Sequence, residues 1–420
     1  MNASPWARRV ARAAYLRANY YCLADRGFRL ELHPLAKIEP PAAWARVQSD
    51  PVGVFFGYYD KTPWSQDMNA AVFHRLRRDH LVDIVVYDRG HAILQHVGTS
   101  ATWNYQQGCM TQWLRNGDSH IIFNDLSDGR LVARIVSPAT GLVSVIPWPV
   151  QAVHPADTEA LSINYRRLYR LRPEYGYGCE ALNFAVDGTL QEDGIWRVKL
   201  ESQDATLIVS LATLADNAPR AEMRDSEHKV NHLVYSPSGA RFAFLHRWIG
   251  PRGKSSRLYS CNADGSDLRL HMDCTVVSHY SWRDDRHLLV WGRTAEAGDH
   301  YYLLDIVTGE TQILGEGVLD RYGDGHPSYS PKGRWIVTDT YPDRYRQRHL
   351  LLFDTVANTI VNVGRFFAPW SFDGNGRCDL HPRWSPDGSM LSIDSAHTGY
   401  RSTYFVDVSS IVETETEPRV

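Results

Sequence analysis

The sequence predicts an all-β fold: a seven-bladed β-propeller of four-stranded antiparallel blades with a short N-terminal helix. Three observations carry that expectation. Four stretches, His232-LVYSPSG, His279-YSWRDD, His326-PSYSPKG and His381-PRWSPDG, each open on a histidine, run through a short aromatic strand and break on a turn. Their histidines are spaced 279−232=47, 326−279=47 and 381−326=55 residues apart, the period of a repeated four-stranded unit. The chain also carries 13 Trp, 22 Tyr and 13 Phe, which suits aromatic packing between sheets. In a propeller the first strand of every blade lines a central channel, so the strand starts converge on one mouth. Four imidazoles would share that space.

In chain order, residues 1–27 read as a basic helical segment, ARRVARAAYLRANYYCLADRG, without the apolar run of roughly 7–15 residues that a secretion signal needs. It is either a cap on the propeller or a peripheral contact with a membrane or a protein partner through its arginines. Residues 28–410 form the propeller. Within one repeat, ARFAFLHRW alternates with period two, and RLYSC and LRLHM flank NADGSD, whose Asp-Gly suits a tight hairpin. Residues 53–100, 103–148 and 150 to about 215 make three further units without the Ser-Pro-x-Gly turn. The last unit ends at YFVDVSS one strand short, and FRLEL at 28–32 is expected to supply that strand and close the ring. Residues 411–420 are a polar tail.

Composition narrows the function classes. The net charge of −3 offers no global field for nucleic acid. Apolar runs stay short of the roughly 18 residues of a membrane span. Cysteines at 22, 109, 179, 261, 274 and 378 show no CxxC pair, so most read as free thiols in a reducing, cytoplasmic setting.

Chemistry concentrates at the expected mouth. His279, His326 and His381, from adjacent blades, could meet one ion with Cys378 as fourth ligand; the alternative is that each histidine caps its inner strand. Three nitrogens and a thiolate favour zinc, whereas Asp324 in place of the thiol shifts the choice toward manganese. His232, one blade earlier, is free to act as a proton acceptor, as a fourth ligand or as a plain cap. The stretch INYRRLYRLRPEYGYG at 163–178 interleaves Arg166, Arg167, Arg170 and Arg172 with Tyr165, Tyr169, Tyr175 and Tyr177. Guanidinium groups pair with carboxylates and rings stack on sugars, so this reads as a loop for an acidic saccharide, or else as a solvated connector.

RYGDGHPSYSPKGRWIVTDTYPD, CDLHPRWSPDGSMLSIDSAHTGYR and FFGYYDKTPWS resemble the seven-bladed polysaccharide lyases, the ulvan lyases and oligogalacturonate lyases, over about residues 53–410. The SPDG repeats also resemble those of the Tol-system periplasmic propeller. The lyase resemblance implies His279 and His326 as ligands of a divalent metal, His232 as base, and Cys378 with His381 in the metal cluster. The second blade departs from the ulvan lyase pattern, opening on Trp103-NYQQG and offering Gln106, Gln107 and Gln112, none of which can abstract a proton. The expectation is a metal-containing propeller acting on a uronic-acid-containing oligo- or polysaccharide by β-elimination, with His232, Tyr165 and Arg167 catalytic. Arg166, Tyr169, Arg170, Gln107, Arg247 and Arg383 would bind substrate. The alternative is a non-catalytic glycan-binding or scaffold propeller in polysaccharide assembly.

Overall fold

The computed structural model describes residues 5–18, 21–22, 28–40, 53–115, 120–179, 184, 188–274 and 276–413. Seven antiparallel sheets follow one another along the chain, at 54–100, 112–146, 152–210, 227–274, 277–314, 328–367 and 383–407. They are blades 1 to 7 below.

The Ser-Pro-x-Gly turns end the inner strands of blades 4, 6 and 7. In each, the glycine N–H donates to the serine carbonyl three residues back, and Gly239, Gly333 and Gly388 have φ of 80°, 74° and 76°, a left-handed conformation that glycine adopts without a Cβ clash. Blade 5 lacks the motif because Asp284 does the same work, its carboxylate accepting from the His287 N–H at 2.8 Å. Tryptophans near the ends of the inner strands tie neighbouring blades together. The indole N–H groups of Trp113, Trp282 and Trp384 donate to the Pro63, Val234 and Ser328 carbonyls of the preceding blades. Each ring thus buries a large apolar surface while its one polar atom finds a partner.

Ring closure differs from expectation by one strand. The segment Leu30–Leu32 within FRLEL pairs with Thr359–Phe367 and becomes a fifth strand of blade 6. The missing edge of blade 7 is filled by Lys37–Glu39, paired with Ser402–Asp407. A tight turn, with the Ala36 N–H donating to the His33 carbonyl at 2.9 Å, steps the chain from one blade to the next. Two sheet edges are covered instead of one. The third blade carries a helix, Tyr165–Leu171, between its second and third strands. The N-terminal helix spans Pro5–Ala18, with Val10 and Tyr15 exposed; the rest of the expected 1–27 segment and the last residues of the tail lie largely outside the described residues. No described helix is long and apolar enough to cross a membrane. Cys22, Cys109, Cys179, Cys261 and Cys378 are free thiols.

Blade 7 is locked onto blade 1 by a buried ion pair. Asp394 accepts from the Phe56 and Gly57 N–H groups, from Thr403 Oγ1 at 2.6 Å and from Arg383 Nη2 at 2.9 Å. Arg383 also donates to the Tyr58 and Gly57 carbonyls. Removing one partner leaves the other charge buried and unpaired, which costs about 3–5 kcal/mol. Asp394→Ala is therefore expected to lower the unfolding free energy obtained from urea titration by about 3–5 kcal/mol, and replacing the whole pair with Leu and Met to restore much of it.

Candidate functional site

Tyr59 crosses the channel axis from blade 1 to blade 5. Its O–H donates to the Tyr280 carbonyl at 2.8 Å and accepts from the Tyr280 N–H at 3.0 Å, as a paired strand would. Its ring lies 5.5, 6.0, 5.2 and 6.3 Å from those of His232, His279, His326 and His381. The four imidazoles expected to converge do so around this one phenol. Below Tyr59, on the side of the Ser-Pro-x-Gly turns, residues of all seven blades line a cavity of about 600 Å³ ringed by Trp113, Tyr235, Trp282, Tyr329 and Trp384.

The imidazole orientations follow from what their Nδ1 atoms meet. His326 Nδ1 lies 2.7 Å from Asp339 Oδ1, His279 Nδ1 2.9 Å from Asp324 Oδ1, and His381 Nδ1 2.8 Å from the Gly57 carbonyl. Carboxylates and carbonyls only accept, so Nδ1 carries a proton, and in the neutral ring the lone pair is on Nε2. Asp339 also accepts from the His326 and His381 N–H groups, one oxygen to each, joining the starts of blades 6 and 7. Burial pushes His381 well below the ordinary imidazole range and lowers His279 too. Buried Nε2 atoms of His326 and His381 have no hydrogen-bond partner among the described residues.

The third member of this cluster is Asp379. Ligand atoms of His326, Asp379 and His381 all lie within 4.8 Å of one another, whereas the expected Cys378 and His279 are outside the group, His279 being paired with Asp324 instead. The cause is alternation along an extended segment: Arg377 and Asp379 share one side, with Arg377 Nε 2.6 Å from Asp379 Oδ2, and Cys378 points to the other. Burial raises its thiol to about 11, so it is not a ready thiolate. Asp379 stays well below the usual carboxylate range despite its burial, held by Arg348 at 2.7 Å and by Arg377. Asp324 supports His279 and also accepts from Ser278 Oγ at 2.6 Å.

His232 stands apart. It is 1% exposed, neither ring nitrogen is hydrogen-bonded among the described residues, and Nε2 is 3.8 Å from Asp60 Oδ2. Burial, then the nearby His279 and Lys61, hold it well below its ordinary range as a neutral base. Both His232 and His381 have positive φ, 54° and 43°, and His232 sits in a register shift between Asn231 and Val234. Such backbone strain persists only where the surroundings enforce it.

The arginine and tyrosine stretch divides in two. Asn164 caps the helix, its side chain accepting from the Arg166 and Arg167 N–H groups, and the resulting turn sends its first residues inward. Tyr165 is fully buried, stacked on Tyr177 at 4.3 Å and donating to the Val150 carbonyl and Gln151 Oε1. Arg167 is buried against Asp193 and the Gly188 carbonyl. Neither of these two expected catalytic residues faces the imidazoles. Arg166 donates to the Phe184 carbonyl, Arg170 pairs with Glu227, and Tyr169 is 42% exposed on the outside. Gln107 is buried beneath the Asn104 turn, and Arg383 is the inter-blade strut already described. Of the expected substrate-binding residues, Arg247 alone takes a place on the lip of the mouth, its Nη2 donating to the Val277 and Ser278 carbonyls.

Beyond the helix, Arg172 and Tyr175 do reach the mouth. The Arg172 guanidinium lies 4.5 Å above the Tyr175 ring, Arg377 donates to the Tyr175 hydroxyl at 3.0 Å, and Tyr175 meets Tyr58 edge-on at 5.7 Å. Tyr58 in turn packs on His381 at 4.9 Å and His232 at 5.1 Å. Tyr341 closes the far side, 5.9 Å from His326. Sequence reasoning missed Asp379, Arg377, Lys229 and the Tyr58–Tyr59 pair. Asp379 was legible from its parity with His381 in CDLHP; the burial of Lys229 had no sequence signal.

No protein-family model matches the chain, and no curated protein sequence matches it. Solved structures do. An oligogalacturonate lyase in complex with manganese is 16% identical with a TM-score of 0.62, covering 90% of this chain and 96% of that one. The oligogalacturonate lyase from Vibrio parahaemolyticus is 14% identical with a TM-score of 0.61, again covering 90% and 96%. TolB from Acinetobacter baumannii is a more distant likeness, 14% identical with a TM-score of 0.39 over 73% of this chain and 62% of that one. The chain thus has the seven-bladed architecture of the oligogalacturonate lyases, at an identity that speaks for the fold alone.

Proposed function

We propose that the protein binds a uronic-acid-containing saccharide at the imidazole mouth and cleaves it by β-elimination, with a divalent metal ion at His326, Asp379 and His381. One observation carries the reading: buried imidazole lone pairs without partners open beside a lip of arginines. The donor set fits a divalent ion, because the partnerless Nε2 atoms of His326 and His381 and an anionic Asp379 stand together while their other atoms are already fixed. With the thiol outside the set, two nitrogens and an oxygen favour a harder ion such as manganese over zinc. A metal bound there would supply Lewis-acid neutralisation of a substrate carboxylate.

The chain's own residues supply the rest. Arg172 and Arg247 face the mouth and suit a carboxylate, whose neutralisation makes the neighbouring C5 proton acidic. His232, neutral with its one basic nitrogen free of a hydrogen bond, would take that proton; the C5–H electron pair forms the C4–C5 double bond as the C4–oxygen bond breaks, and the leaving oxygen is protonated from solvent or a neighbouring hydroxyl. Tyr341, 38% exposed on the far side of the mouth, offers a ring to the sugar. A second reading, a glycan-binding propeller without turnover, draws on the depth of His232 beneath Tyr58.

Equilibrium dialysis with Mn²⁺ is expected to find about one ion per chain, retained by Cys378→Ser and lost by His326→Ala; loss in Cys378→Ser alone would overturn the ligand set. Incubation with oligogalacturonates is expected to generate the ultraviolet absorbance of an unsaturated uronate. His232→Gln should lower kcat by roughly 10²–10⁴-fold and Arg172→Met should lower kcat/KM, while Tyr165→Phe acts through stability. Measurable binding across a panel of acidic oligosaccharides with no absorbance change would establish the second reading.

A further inference from the structure

Lys229 lies three residues before His232 and is 3% exposed, yet no hydrogen bond or ion pair involves its ammonium among the described residues. It lines a pocket of about 170 Å³ at the junction of blades 4 and 5, with Arg172, Arg247, Lys254 and Ser278. Four cationic side chains therefore surround one small space. The charged groups that act on Lys229 are Arg172 and Glu174 from the connector after the helix, Arg247 from the adjacent strand and Lys254 from the next; Glu227 and His228, on its own strand, are engaged with Arg170 and His246. Among the described residues Arg247 donates only to backbone carbonyls. No carboxylate pairs with Arg172, Lys229, Arg247 or Lys254 within ion-pair distance among the described residues.

We propose that this pocket is an oxyanion subsite whose occupation draws a proton onto Lys229, so that anion binding and proton uptake are one event. It deepens the saccharide reading by giving the lip beside the imidazole mouth a receptor for an acidic substituent, either a uronate carboxylate or a sulfate ester, which share the oxyanion chemistry. Without an anion, a fourth positive charge in the pocket is unfavourable. Burial, then the nearby Arg172 and Arg247, depress the lysine to about 6, and the amine is largely neutral near pH 7. An arriving oxyanion supplies the missing counter-charge, raises the lysine again and completes a cradle of two guanidinium groups and an ammonium. The sign follows: binding is tightest below the depressed value and weakens as pH rises, approaching tenfold per pH unit while the bound form keeps its proton and the free form does not.

Isothermal titration of the full chain with inorganic sulfate and, separately, sodium galacturonate tests this independently of any lyase activity. Runs at pH 6, 7 and 8, in buffers of different ionisation enthalpy, report proton uptake directly. The expected result is uptake approaching one proton per anion at pH 7 to 8 and affinity falling several-fold or more from pH 6 to 8. Lys229→Met should bind more weakly at pH 6 with a flat pH profile, and Lys229→Arg should bind with no proton uptake. Preference for galacturonate over sulfate assigns the subsite to carboxylates, and the reverse to sulfate esters. Absence of binding by both anions at pH 6, or an unchanged pH profile in either variant, overturns the proposal. Sulfate binding with proton uptake, alongside no turnover of oligogalacturonates, would remove the lyase reading and leave the subsite standing.

Discussion

A single buried carboxylate organises the mouth. Asp339 receives two backbone N–H groups, those of His326 and His381, and the Nδ1 proton of His326. It thereby joins the starts of two blades and turns the His326 lone pair toward a shared space. Bonds to a charged acceptor in a low-dielectric interior are stronger than neutral ones and costlier to leave unmade, so this one side chain fixes both architecture and chemistry. Asp394 does the corresponding work between blades 7 and 1, and the Gly57 carbonyl it positions is the one that holds His381. The ring closes and the imidazoles are oriented through the same contacts.

Tyr59 divides the channel. By bonding both the N–H and the carbonyl of Tyr280, it separates the large aromatic cavity beneath from the polar mouth above. The mouth is electrostatically uneven. On the side of blades 6 and 7, the Asp379 carboxylate stands against Arg348 and Arg377; on the side of blades 4 and 5, Arg172, Lys229 and Arg247 face the pocket without an acid among them. The proposed acidic sugar would meet cations on one side, the Tyr341 ring on another and the imidazole nitrogens between them.

Much of the architecture was legible because the turn chemistry repeats. Ser-Pro-x-Gly has a local cause, a left-handed glycine after a serine carbonyl, so it survives in sequence and marks the blades. The closing strand was misassigned because FRLEL and the segment at 37–39 are both short, and an edge strand is selected by the neighbour it meets, which is a tertiary fact. The site was legible to the extent that strand starts converge, which brought His232, His279, His326 and His381 together. It failed where one residue decides the side. Cys378 and Asp379 are neighbours, and alternation puts the carboxylate in the cluster. In the 163–178 stretch, the Asn164 cap starts a helix that buries Tyr165 and Arg167 and delivers Arg172 and Tyr175 to the lip.

If His326, His381 and Asp379 surround a seat for a divalent ion beside the arginine lip, as proposed, a crystal grown with Mn²⁺ and measured for anomalous scattering will show one strong peak within coordination distance of the Nε2 atoms of both histidines and an Asp379 oxygen. A fully occupied peak elsewhere, or none at saturating Mn²⁺ with the imidazoles hydrogen-bonded to water, would contradict it.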